Sequence, residues 1–68
     1  MKEKIKAYCE KEYKDCIRYN GDVEKATDRA FGAVMFYLNY CTDYDESVGK
    51  WWDDEMLPKF RELKITRW

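Results

Sequence analysis

Residues 23–41 read VEKATDRAFGAVMFYLNYC, and a change of character halfway along this stretch decides the fold. Its first half is an amphipathic helix with Glu24, Lys25, Asp28 and Arg29 turned outward. From Phe31 to Cys41 the helix becomes apolar nearly all round, and such a helix is normally buried on more than one side. One neighbouring helix cannot cover it, so the stretch demands a bundle. Ala26, Ala30 and Ala33 form a stripe of small residues that lets a neighbour approach closely, and Phe31, Val34 and Leu38 form a bulkier ridge expected in the core. Phe36 and Tyr40 project near Gly32 and Arg29, on the side that the first half marks as solvent-facing. Either a third helix wraps that side or a partner does.

Towards the N-terminus, Asp22 is a natural cap for this helix, its carboxylate accepting from free backbone N–H groups. Asn20-Gly21 closes the preceding helix, with glycine expected in the left-handed conformation. That first helix spans about residues 2–19. At 100° per residue its Ile5, Tyr8, Cys9, Tyr13, Cys16 and Ile17 share one face, away from Lys4, Lys11, Lys14 and Arg18.

Towards the C-terminus, Asp43 and Glu46 have the spacing of a capping box, with Asp in place of Ser or Thr. A third helix is expected over about residues 45–63, carrying Val48, Trp52, Met56, Phe60 and Leu63 at helical spacing. Pro58 lacks an N–H and clashes with the carbonyl of Asp54, which predicts a kink or break there. Residues 64–68 read as a tail. The connections are short, so consecutive helices run antiparallel. The expected fold class is all-α: a single domain forming a small three-helix antiparallel bundle.

Sixty-eight residues leave little room for a core and a dry catalytic pocket together. Histidine is absent, which removes His-based triads, His metal sites and the usual neutral-pH acid–base group. The three glycines, at 21, 32 and 49, make no phosphate loop. The reading is therefore of a protein that is not an enzyme and holds no cofactor. Asp43, Asp45 and Ser47 begin like a calcium loop. However, Val48 stands where the loop needs glycine and Asp54 where it needs a bidentate Glu, so no metal is expected. Cys9 and Cys16 lie two turns apart, about 10 Å along a helix and beyond disulfide reach, so the three cysteines read as reduced core thiols. The longest apolar run covers nine residues, 30–38, against the roughly 20 needed to span a bilayer. With a charged, unhydrophobic N-terminus, the expected compartment is the cytoplasm.

A net charge of -1 argues against general nucleic-acid binding. The charge is nevertheless uneven. Asp43, Asp45, Glu46, Asp53, Asp54 and Glu55 crowd around Tyr44, Trp51 and Trp52 with only Lys50 to offset them, whereas Lys59, Arg61, Lys64 and Arg67 cluster near the end. Twelve aromatic residues outnumber nine Ile, Leu and Val. Large rings are one way to build a small core, but Trp and Tyr also dominate binding hot spots. Trp51 and Trp52 are 100° apart on a helix, so one is expected inside and the other outside.

These features predict a non-enzymatic protein–protein interaction module that docks a basic protein surface through Phe36, Tyr40, Asp43, Tyr44, Asp45, Glu46, Trp51, Trp52, Asp53 and Asp54. By size and charge, such a module could inhibit a nucleic-acid-handling enzyme by mimicking its ligand, as small antagonists from phage or other mobile elements do. The alternative is a self-associating structural protein, a homodimer built on the apolar stretch. Neither reading involves a membrane.

Overall fold

The first helix, α1 (Lys2–Arg18), and the second, α2 (Val23–Tyr40), are joined by residues 19–22, whose hydrogen bonds fix the turn. Gly21 N–H donates to Cys16 O at 3.0 Å and Asn20 N–H to Ile17 O at 3.5 Å, the paired bonds of a Schellman closure. The left-handed residue is Asn20, at φ 54°, not the expected Gly21, which does not take a positive φ. Asparagine tolerates this conformation because its short polar side chain can bond locally. Asn20→Ala is therefore expected to cost about 1 kcal/mol, and Asn20→Gly nothing, in urea-denaturation midpoints. Asp22 caps α2 as anticipated, its Oδ1 accepting from Glu24 N–H at 3.0 Å and Lys25 N–H at 3.2 Å.

The computed structural model describes residues 1–42 and 45–67, the last by its backbone alone. The Asp43 half of the expected capping box, and with it Tyr44 and Trp68, lies outside the described residues. Asp45 supplies a cap instead: its Oδ1 accepts from Ser47 N–H at 2.9 Å, so the third helical rod begins at Ser47 and not at Asp45. The rod comprises α3 (Ser47–Trp51), a π-helical turn (Trp52–Met56) and α4 (Leu57–Arg67). Trp52 and Leu57 both keep right-handed helical angles, so the chain runs through both junctions without leaving the helix.

The π turn has two causes in the sequence. Leu57 N–H reaches back five residues to Trp52 O, so the α pattern gives out just before Pro58 and resumes with proline in the first turn of α4, where its missing N–H is tolerated. The interruption expected at Pro58 thus takes the form of a widened turn immediately upstream. The second cause is packing. Val48, Trp52, Met56 and Phe60 recur every four residues, and at 100° per residue the first and last would drift about 120° apart. One extra residue in a turn cancels about 100° of that drift, and all four are buried. Residues 64–67 are not a tail; they continue α4.

Cross-chain contacts give the directions. Cys9 meets Ala30 and Glu12 meets Arg29, so α1 and α2 are antiparallel. Phe31 stacks on Trp52, and an ideal Cβ on Gly49 would lie 3.3 Å from Leu38, so α2 and the third rod are antiparallel as well. Among the described residues there is no strand.

The core consists of Cys9 and Cys16 from α1, of Val23, Ala26, Ala30, Val34 and Tyr37 from α2, and of Val48, Trp52, Met56 and Phe60. Two members of the alanine stripe, Ala26 and Ala30, are buried and let α1 approach, Cys9 Sγ coming within 3.6 Å of Ala30 O, while Ala33 is half-buried at the edge. Burial, with Glu10 and Glu12 nearby, pushes the Cys9 thiol up to about 11, and none of the three cysteines is in a disulfide. Four expectations are corrected. Tyr8, Ile17 and Phe31 remain exposed and Leu38 is half-buried, because a helix in a three-membered bundle has neighbours over only part of its circumference. Tyr37, not Phe31, is the large ring that α2 buries. No helix among the described residues is long and apolar enough to cross a membrane.

Candidate interaction surface

Trp51 and Trp52 are separated by the expected rotation. Trp52 is 2% exposed, its ring 5.9 Å from those of both Phe31 and Phe60. It is a core residue and offers nothing to a partner, which corrects its place in the expected surface. Trp51 is half-buried on the seam with α1, where Lys6 Nζ sits 5.3 Å from the ring centroid. A shallow groove beside it is lined by Lys6, Ser47, Lys50, Trp51, Asp54 and Glu55, two cations against two carboxylates.

The acids do not act as one block. Asp45 is tied to Lys2 Nζ at 2.6 Å while capping Ser47, and these hydrogen bonds hold its carboxyl well below the usual carboxylate range. The same bond raises the Lys2 ammonium. Asp45 thus joins the start of α1 to the start of the third rod. Glu46, Asp53, Asp54 and Glu55 are exposed, the last three on the π turn. The three on the π turn form an acidic shoulder, of which Asp54 and Glu55 line the groove beside Trp51.

Phe36 and Tyr40 lie elsewhere. Their rings touch at 5.3 Å, and both are exposed on the flank of α2 that carries Arg29, which pairs with Glu12 of α1 at 3.1 Å. Phe31 marks the opposite flank of α2, towards the third rod. The sequence-predicted residues therefore divide into an aromatic pair on α2 and an acidic shoulder on the π turn, with Trp52 inside. Asp43 and Tyr44 fall outside the described residues.

A coherent surface emerges on α2 that the charge pattern did not reveal. Phe31, Met35, Phe36 and Tyr40 keep 46%, 38%, 55% and 74% of their area exposed, with Gly32 and Asn39 exposed between them. Not one charged residue occurs from Ala30 to Thr42, in a chain that is 40% charged. The bulky side chains stand on the two edges of the face. Its middle is low at Gly32, where an added Cβ would meet no atom within 4 Å. The signal was already present in the all-round apolar second half of α2: with only two neighbours available, part of that circumference stays outside.

Compared with protein-family models, curated proteins and solved structures, the chain matches none. Its class is defined by its own fold: a small all-α three-helix bundle with one uncharged, aromatic helix face.

Proposed function

We propose that this chain is a non-enzymatic protein-interaction module and that the outer face of α2 is its contact surface. The observation that carries the reading is the exposure of Phe31, Met35, Phe36 and Tyr40 together on an uncharged helix face. At about 200 Å² per side chain, the four leave about 400 Å² of largely apolar area in water. Apolar patches of this size on small proteins are commonly binding sites. Aromatic rings with few rotors make economical anchors for such contacts.

A second reading retains the basic partner. It rests on Glu46, Asp53, Asp54 and Glu55, which stand exposed and make no ion pair among the described residues, Asp54 and Glu55 beside Trp51. A shoulder of this kind would steer a basic surface, including that of a nucleic-acid-handling enzyme held in check by this protein.

Salt and mutation separate the two. Tagged wild-type, Phe36→Asp and Asp53→Asn/Asp54→Asn baits are compared for what they retain across a salt gradient. Contact through α2 is expected to survive high salt and to vanish with Phe36→Asp. Release at moderate salt, insensitive to Phe36→Asp and abolished in the double Asn variant, would transfer the function to the acidic shoulder. Equal retention by all three baits would overturn both readings.

A further inference from the structure

We infer that the occupant of the α2 face is a second copy of this chain, packed α2 against α2. The inference rests on the reading of that face as the contact surface, and three observations select a second copy. The first is charge. A surface that meets itself places each residue of the patch against the same patch, so any charge it carried would recur on both sides. The face from Phe31 to Tyr40 carries none, although charged residues dominate the rest of the exposed surface.

The second is shape. Helices pack by setting the ridges of one into the grooves of the other. This face holds both parts, with Phe31 and Met35 on one edge, Phe36 and Tyr40 on the other, and the low point at Gly32 between them. The space above Gly32 lets a second helix approach closely, and the edges of one copy can fill the trough of the other. A patch with a ridge and a matching groove is its own complement.

The third is area. A standard interface removes about 800 Å² from each partner, of which about 57% is apolar, so each side supplies roughly 450 Å² of apolar surface. The four exposed side chains of α2 supply about 400 Å², with Lys25 and Arg29 placed on the same helix, N-terminal to the patch, to form part of a polar rim. The face supplies most of the apolar area that one side of a standard dimer interface needs.

Sedimentation velocity on the full chain, from about 5 to about 500 μM, tests the inference, with thermal circular dichroism on each protein. The wild type is expected to shift from monomer to dimer within that range. Gly32→Arg adds a side chain where the single copy has open space, so it should leave the melt intact and weaken association at least about tenfold. Phe36→Glu should do the same by setting like charges face to face. A wild type that stays monomeric throughout, or a dimer that persists in both variants, overturns the second-copy inference. If the wild type is monomeric yet a different protein is retained on the bait in a Phe36-dependent manner, the α2 face remains the contact surface and only its occupant is wrong. If Phe36→Glu alters neither association nor retention, both fail.

Discussion

Trp52→Ala is expected to remove about 3–5 kcal/mol of stability, whereas Trp51→Ala, one residue away, should remove only about 1 kcal/mol. Trp52 is the largest fully buried side chain and touches aromatic rings of α2 and α4 at once, so its loss leaves a cavity at the junction of two helices. A chain of 68 residues has on the order of 3–10 kcal/mol to lose, so the Trp52 variant should be largely unfolded at 37 °C. Trp51 surrenders a half-exposed ring and the contact with Lys6. Urea titrations followed by far-ultraviolet circular dichroism check the pair. Equal midpoints for the two variants would mean that the two rings are equally buried and that the rod is rotated from the orientation described.

Tyr37→Ala should carry a similar penalty, about 3–5 kcal/mol, because the ring is fully buried and large. Phe31→Ala should cost only about 1–2 kcal/mol, since nearly half of its surface is already in water and what it loses is chiefly its contact with Trp52. The comparison bears directly on how α2 is oriented. If Phe31→Ala proved the more damaging, α2 would have to be rotated so that its aromatic edge faced inward, and the exposed face would disappear. Melting temperatures of the two variants decide it.

These two comparisons also mark what could and could not be read from the chain. The helical class, the cap at Asp22 and the alanine stripe beneath Cys9 follow from local chemistry, and local chemistry is legible. The rotation of α2 is not local. Its second half is apolar on every side, so periodicity offers no preferred face, and only the positions of α1 and the third rod choose Tyr37 over Phe31. The π turn lay between these cases. A strict four-residue spacing from Val48 to Phe60 is too long for an α-helix, and that excess was visible, but it becomes informative only once all four residues are known to be buried. The acids were not legible as separate groups for a similar reason: only the fold brings Lys2 to Asp45, which ties up that carboxylate and leaves Asp53, Asp54 and Glu55 on the π turn.

The π turn also gives this protein a place where its length can change without changing its fold. Within an ordinary helix, losing one residue rotates everything downstream by about 100°. Within Trp52–Met56 the same loss would restore an ordinary α-helical turn, and the two rotations offset each other. Val48, Trp52, Met56 and Phe60 would then follow one another at intervals of four, three and four residues, the stripe of a regular α-helix, and Phe60 would stay in the core. Here a deletion is silent for the core, whereas the same deletion in α4 ahead of Phe60 would turn that ring away from it. Inheritance is therefore expected to tolerate a change in the number of exposed carboxylates on this turn more readily than a change of length elsewhere in the rod.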